Sequence, residues 1–383
     1  MVARHYLDHA STSPVRPGAV AALVDMLESP AGDPGRIHTE GMAARVALER
    51  ARESVAALLG ARSREVVFTS GATEAVAAAV WGVAERGSHQ VTSAVEHSAV
   101  REAAARAGEV TEVAVDGMGR VDSATVVAAI RPDTSAVHVQ WGNHEVGTTQ
   151  PVDDVVAACR ERGVLVHVDA AQAAGHVPIG FDELGADLLS VSGHKFGAPP
   201  GTGALLVRRG LRLQPLLVGG DQERARRAGM ENVAALVGLG VAAKGLMTAG
   251  PDGTRLAAEA VAALRLTERV LAAAAELEGV VVYGDPIDRL PHIVCLGVLG
   301  VEPQAVLLGL DRAGIAAHSG SACSSEALEP SPVLEAMGVD AHRSLRISVG
   351  WSSSDSDIDA LIDALPAVLD DLRRLGQGPI AVP

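Results

Sequence analysis

The sequence predicts an α/β chain in two parts. A large domain over residues 15–250 carries a mostly parallel, helix-covered sheet, and a smaller α+β domain is formed by residues 1–14 and 251–383. Three observations lead there. The chain has 383 residues, more than the roughly 250–300 at which a single core stops growing. From residue 40 to about 210, strand-length apolar runs alternate with helical periodicity, the pattern of βαβ units whose sheet is covered on both faces. Beyond Gly219-Gly220 the pattern changes to long alanine-rich helices and then to shorter strands.

Taken in order, Met42 to Leu59 has apolar residues at helical spacing and stops at Gly60, a C′ glycine. Apolar runs predict strands at Glu65–Thr69, His89–Ser93, Val110–Val115, Ala136–Gln140, Val164–Asp169, Leu188–Ser192 and Ala204–Val207. Between the first two, Ser70-Gly71-Ala72-Thr73-Glu74 opens a helical run to Arg86. A charged stretch, Asp221 to Arg227, precedes helices over about 232–277. The remainder predicts strands at Val280–Tyr283, His292–Leu296 and Leu345–Val349, with helices near 303–312 and 355–375. No repeat or long linker separates the parts, so a site is expected between them.

Composition excludes several classes. A hydrophobic fraction of 48% with 21% charged residues is ordinary for a globular chain and excludes disorder and fibres. No apolar run reaches the roughly 18 residues of a spanning helix, and the opening Met1 to Tyr6 lacks the apolar core of a signal peptide. A cytoplasmic protein without membrane contact is expected. The net charge of −15 opposes direct nucleic-acid binding. The three cysteines, Cys159, Cys295 and Cys323, have neither disulfide-framework nor zinc-site spacing. Cys159 and Cys295 lie in apolar runs and read as core residues.

Only two of the 32 basic residues are lysines. Lys244 sits in an alanine-rich helical pattern and reads as a solvated residue. Lys195 lies in Ser192-Gly193-His194-Lys195-Phe196-Gly197, after an apolar strand. It is either a surface loop lysine or an amine kept for a reason arginine cannot serve, such as Schiff-base chemistry. Asp169 ends an apolar strand, where open α/β sheets bind ligands, or else caps the next turn. His167 and Asp169 have no third metal ligand nearby. Thr69 to Glu74 turns a strand into a helix start, a phosphate cradle or an ordinary capping box. Nucleotide fingerprints are absent. Together the lysine, the carboxylate and the cradle fit one cofactor, pyridoxal 5'-phosphate.

Two further pieces bear on the reaction. Ser319-Gly320-Ser321-Ala322-Cys323-Ser324-Ser325 embeds a cysteine among small residues, which suits a nucleophile or carrier better than a core position. Arg346 stands inside the apolar run Leu345–Val349, where a buried cation needs an anion: a substrate carboxylate or an internal salt bridge.

These residues resemble the class V aminotransferase group and, within it, the cysteine desulfurases with a long catalytic-cysteine loop. The likeness runs through Tyr6–Pro14, Thr69–Glu74, Glu96-His97, Asn143–Gly147, Asp169–Gln172, Ser192–Lys195, Gly219–Arg224 and Ser319–Pro330. It implies the fold-type I pyridoxal phosphate architecture. It also implies roles: Lys195 bonds the cofactor and shuttles protons, and His97 stacks on the ring and takes part in acid–base steps. Asp169 would pair with the ring nitrogen and Gln172 with the ring oxygen. Thr73, the Ala72 backbone, Ser192 and His194 would hold the phosphate. Arg346, with Asn143, would bind the substrate, and Cys323 would attack its sulfur. L-Cysteine would yield L-alanine and a persulfide on Cys323, passed to an acceptor protein or small molecule by a homodimer with shared active sites.

Four positions depart from the family pattern. His144 replaces an asparagine, although imidazole can still donate to the cofactor oxygen. Met230 replaces a threonine that reaches the phosphate from the neighbouring subunit. Asp33 and His318 also replace commoner residues. A selenocysteine lyase, another class V enzyme and a noncatalytic sulfur-transfer scaffold are the alternatives. Iron–sulfur assembly, tRNA thiolation, DNA sulfur modification and metabolite biosynthesis are all open as destinations for the sulfur.

Overall fold

The computed structural model describes residues 4–30, 32–251, 253–320 and 330–376. A short strand β1 (His5–Tyr6) opens the chain, followed by seven strands of one sheet. These are β2 (Val66–Thr69), β3 (His89–Ser93), β4 (Glu109–Val113), β5 (Thr134–Gln140), β6 (Leu165–Asp169), β7 (Leu188–Ser192) and β8 (Gly203–Val207). Their spatial order is β2-β8-β7-β6-β5-β3-β4. Only β8 runs antiparallel to its neighbours, β2 and β7; the others pair in parallel. Crossover helices such as Ala72–Val83, Ser98–Ala107 and Val152–Glu161 separate the parallel strands.

Strand limits follow the apolar runs closely. The run Val110–Val115 is an exception: the strand ends at Val113 because Val115 leaves the sheet to bridge Val121 across the turn at Asp116. The helix Thr39–Leu58 packs on Val233–Leu246. Gly240 permits this, since a Cβ there would lie 2.4 Å from Ala51 Cα.

Within this apolar sheet runs a polar chain. Ser190 Oγ, His167, His138 and Gln90 link β7, β6, β5 and β3 through contacts of 2.7, 3.0 and 2.8 Å. Burial pushes His138 and His167 below the usual imidazole range, so both are neutral. Gln90 Oε1 can only accept, so His138 carries its proton on Nε2, His167 on Nδ1, and the serine hydroxyl donates to His167. Every ring nitrogen is thereby satisfied without a buried charge.

A minor hairpin, β9 (Ala249–Gly250) with β10 (Gly253–Thr254), leads into the helix Arg255–Ala275. Beyond it, β11 (Val280–Tyr283), β12 (Ile293–Val298) and β14 (Ser344–Ser348) form an antiparallel sheet, while β13 (Ile315–Ala316) pairs with β1. One apolar cluster surrounds the seven-stranded sheet, with Leu48, Phe68, Val137, Val168 and Leu239. A second joins Leu7 to Val294, Leu296, Leu345, Ile358 and Leu365. The amino-terminal segment therefore packs with the second sheet before residues 10–13 cross to the first. Among the described residues no helix is long and apolar enough to cross a membrane.

Candidate active site

A cavity of about 470 Å³ opens at the carboxyl ends of the parallel strands. Gln140, Asp169 and Ser192, the last residues of β5, β6 and β7, line it. Side chains there project past the final ladder bond, which is why open α/β sheets place ligands at this edge.

The turn after β2 supplies one wall. Gly71 precedes the helix Ala72–Val83, whose first amides have no intrahelical acceptor and point at the cavity rim with Thr73. Gly203 on β8 lets this turn approach, because a Cβ there would meet Gly71 Cα at 2.6 Å. Glu74 reaches back to the Ser70 N–H at 2.8 Å and pairs with Arg227 at 2.9 Å. The carboxylate thus closes the turn at Ser70 instead of forming a Ser/Thr capping box, since the N-cap is Gly71 with no side-chain bond, and the helix start lines the cavity.

Lys195 ends the short 3₁₀ turn Gly193–Lys195 after β7. Its Nζ donates to the carbonyls of Ala10 and Ser11 at 2.6 and 3.0 Å. Burial, with Arg346 nearby, brings its ammonium down to about 8, while Asp8 and Asp169 act in the opposite direction. It is not a solvated loop lysine. Asp169 is buried and pushed up to about 6 by desolvation, opposed by the Ala171 N–H and by Lys195. That N–H, at 3.0 Å, is the one hydrogen bond to its side chain among the described residues. A buried carboxylate so placed calls for a cationic or protonated partner in the cavity.

His97 caps the helix Ser98–Ala107, its Nδ1 accepting from the Ala99 N–H at 3.0 Å. Burial, with Lys195 adding to it, lowers the ring to about 4. The neutral ring therefore keeps its proton on Nε2. The His144 ring meets it edge-on at 5.0 Å, and His144 Nδ1 is buried without a partner among the described residues. Gln172 donates to the Ala10 carbonyl at 2.8 Å and accepts from His292 at 3.4 Å. His194 contacts Thr12 Oγ1 at 3.2 Å and is lowered to about 4, by burial first and Lys195 second.

Arg346, mid-strand in β14, is 2% exposed and reaches the cavity wall. Its guanidinium donates to the His144 carbonyl (2.8 Å), Asp8 Oδ1 (3.0 Å) and Ser11 Oγ (2.7 Å), leaving Nε without a partner among the described residues. Asn143 stands apart from the other sequence candidates. It is fully buried and does not line the cavity; its amide closes its own turn by accepting from Glu145 and Val146 N–H and donating to the Val95 carbonyl. Cys323 lies outside the described residues. Cys159 and Cys295 are buried core residues, as their apolar runs suggested. Burial raises both thiols, Cys159 to about 11, so neither supplies a thiolate.

Sequence reasoning assigned no role to Asp8, Ser11, Gln140 or His318. The first two sit in the Tyr6–Pro14 motif, but nothing local connects them to a lysine and an arginine far along the chain. His318 lines the cavity beside Arg346, the two exchanging main-chain hydrogen bonds, and its Nδ1 accepts from the Gly320 N–H at 3.0 Å. The whole arrangement suits a ligand with an anionic group at the helix start, a protonatable ring nitrogen at Asp169 and a carbonyl carbon within reach of a desolvated amine.

Comparison with known proteins agrees over nearly the whole chain. The family described as "Aminotransferase class-V" matches residues 5–361. The "Cysteine desulfurase IscS" of Dictyoglomus turgidum is 38% identical over 382 residues, covering 97% of this chain and 95% of that protein. The "Cysteine desulfurase" of Trichormus azollae is 41% identical over 385 residues, covering 97% and 94%. Among solved structures, a "NIFS-LIKE PROTEIN" superposes with a TM-score of 0.89 at 30% identity, covering 96% of this chain and all of that one. The structure described as "SspA in complex with cysteine" gives 0.79 at 28% identity, covering 91% and 100%.

Proposed function

The chain belongs to the aminotransferase class-V family, a family of pyridoxal phosphate enzymes, and on that premise we propose that it is a cysteine desulfurase. L-Cysteine and the Cys323 thiol give L-alanine and a Cys323 persulfide. The Cβ–S bond of the substrate breaks, a sulfur–sulfur bond forms, and protons are redistributed without an external oxidant. The observation that carries the proposal is one cavity holding a desolvated lysine, a buried carboxylate and a helix start.

In this reading Lys195 would hold pyridoxal phosphate through Nζ. Ala72 N–H, Thr73, Ser192 and His194 would hold its phosphate, Asp169 its ring nitrogen, and Gln172 with His144 its ring oxygen. When bound, the cofactor supplies an electron sink that acidifies the cysteine Cα and weakens Cβ–S. Lys195 Nζ, with its proton loosened to about 8, takes a proton near neutral pH and returns it. His97 presents an Nε2 proton and no free lone pair, so it donates rather than accepts. Arg346 takes the substrate carboxylate on the edge it now shares with Asp8. Asn143 supports the wall from behind and is not assigned to the substrate.

We also propose a division into domains 15–250 and 1–14 with 251–383, a cytoplasmic homodimer with shared sites, and an acceptor protein or small molecule for the sulfur. Incubation with L-cysteine, alanine quantification and mass mapping of the persulfide test the function. Cys323→Ser should retain cofactor and cysteine binding but form no persulfide. Persulfide on Cys159 or Cys295, or turnover of selenocysteine alone, would overturn the reading.

A further inference from the structure

Neither His176 nor His292 lines the cavity, yet each bonds a residue that does. Their rings stack, with centroids 3.6 Å apart and planes inclined by 10°. His176 Nε2 donates to the Lys195 carbonyl at 3.1 Å, and His292 Nε2 donates to Gln172 Oε1 at 3.4 Å. Lys195 and Gln172 meet again in front, where the Ala10 carbonyl accepts from Nζ at 2.6 Å and from Gln172 Nε2 at 2.8 Å. The four residues thus close a circuit through that carbonyl. Carbonyl and amide oxygens only accept, so both rings carry their proton on Nε2. Burial is the main cause that lowers both, His176 to about 4 and His292 well below its ordinary value, and two neutral rings stack without repulsion. His292 Nδ1 is then a lone pair, buried without a partner among the described residues. A phenyl ring would stack as well and leave no nitrogen unpaired. What imidazole adds at this position is the Nε2 donor.

The two rings come from different parts of the fold. His176 belongs to the turn after β6, where its N–H and that of Val177 donate to the Ala173 carbonyl at 3.0 Å. Gly175 brings this turn against the chain just past Lys195: its φ is +81°, and a Cβ there would lie 2.3 Å from Phe196 Cβ. His292 directly precedes β12 in the second sheet, and its carbonyl accepts from the Val349 N–H at 3.0 Å. The stack therefore ties the second sheet to the edge of the first that lines the cavity. Its effect on Gln172 follows from hydrogen-bond polarity. Turned over, the amide would set its oxygen against the Ala10 carbonyl and its nitrogen against the His292 N–H. Held as it is, it keeps a second N–H for the cavity.

We infer that His292, aligned by its stack on His176, is a positioning residue for Gln172 and fixes the amide so that it offers an N–H to the ring oxygen of the cofactor. The inference rests on the reading of Gln172 as the partner of that oxygen. The oxygen accepts, so an amide turned the other way would meet it with a lone pair. A hydrogen bond between neutral groups corresponds to about threefold to tenfold in affinity. At 3.4 Å, longer than the usual N–H to oxygen separation, the lower end applies.

The test titrates apoproteins with pyridoxal phosphate: wild type, His292→Asn, His292→Gln, Gln172→Ala and the double variant of His292→Asn with Gln172→Ala. Asparagine places its N–H where Nδ1 stands and loses the bond; glutamine places it where Nε2 stands and keeps it. His292→Asn should weaken cofactor binding by about threefold or more. It should also move the visible band of the bound cofactor in the same direction as Gln172→Ala does. His292→Gln should restore both. In the Gln172→Ala background, His292→Asn should change neither, because the group it orients is gone. Wild-type affinity and band in His292→Asn overturn the inference. So does an undiminished effect in the Gln172→Ala background, which would show His292 acting on the fold at large. If the wild-type apoprotein takes up no pyridoxal phosphate, the cofactor reading has failed. If Gln172→Ala alone alters neither affinity nor band, Gln172 is not the oxygen's partner and the inference falls with it.

Discussion

Arg346 Nη2 lies 3.0 Å from Asp8 Oδ1, an ion pair between residues 338 positions apart in sequence. Ser11 Oγ completes the triangle, accepting from Arg346 at 2.7 Å and donating to Asp8 at 2.8 Å. The sequence admitted either an internal salt bridge or a substrate carboxylate at this arginine. The salt bridge is present, and it stands at the wall of the cavity. Asp8 thus neutralises a buried cation that a bound carboxylate can share.

Asp8→Asn should therefore destabilise the ligand-free protein by about 1.5–3 kcal/mol, the value of a hydrogen bond to a charged group. A small carboxylate such as L-alanine should raise Tm more in this variant than in wild type, because it restores the missing negative charge. Equal increases in the two proteins would show that ligand carboxylates do not reach Arg346.

Lys195→Ala should abolish alanine production and the visible cofactor band while far-UV circular dichroism stays unchanged. In the wild-type apoprotein, the rate of pyridoxal phosphate capture should rise with pH as Nζ loses its proton. It should level off just above the lowered value of about 8 instead of climbing toward the ordinary 10.5. A capture rate still climbing at pH 10 would contradict the desolvated amine.

Glu96 accepts from the Gln140 N–H (2.9 Å) and Ser93 Oγ (3.0 Å), while its second oxygen is buried without a partner among the described residues. Burial is the main cause of its rise to about 8, with Asp169 adding to it and the Gln140 N–H opposing. A carboxyl raised above its unfolded value stabilises fully below about 4.5, and that stability is lost as pH rises through about 8. A tenfold change in a carboxyl's affinity for its proton corresponds to about 1.36 kcal/mol. Glu96→Gln should thus gain stability relative to wild type between pH 5 and 8.5, as read from Tm differences. A constant difference across that range would mean the carboxyl is ionised throughout.

Met230 is 62% exposed, and the segment before it turns through left-handed Glu223, Arg224 and Ala225. Arg52 holds that turn by a buried pair with Glu223 at 2.6 Å. Arg227 is engaged with Glu74 and so is not free to replace a missing donor. In the homodimer proposed above, Met230→Thr should tighten pyridoxal phosphate binding about tenfold, one added hydrogen bond to a charged group. Titration of the apoproteins checks this; equal affinities would mean that each cup is built by a single chain.

Much of the fold was legible locally. His89–Ser93 and Leu188–Ser192 coincide with the predicted strands because those runs are buried throughout, whereas Val280–Tyr283 coincides although Val281 and Val282 stay exposed. Asp169, Ser192 and Lys195 stand out as candidates because each lies at or just beyond the end of such a run, where this class of sheet places ligands, and all three line the cavity. Motif order supplied the family.

Tertiary structure decided what depends on pairing across distance. The antiparallel entry of β8 between β2 and β7, the β1–β13 pairing of two residues each, and the contacts of Asp8 and Ser11 with Arg346 leave no periodic mark in the chain. Local pattern likewise could not separate Asn143, whose amide closes a turn, from its neighbour His144, which faces the cavity. The physical reason is common to all of these. Periodicity reports whether a side chain leaves water, whereas the partner that a buried charge or amide finds there is set by strands and turns brought together only on folding.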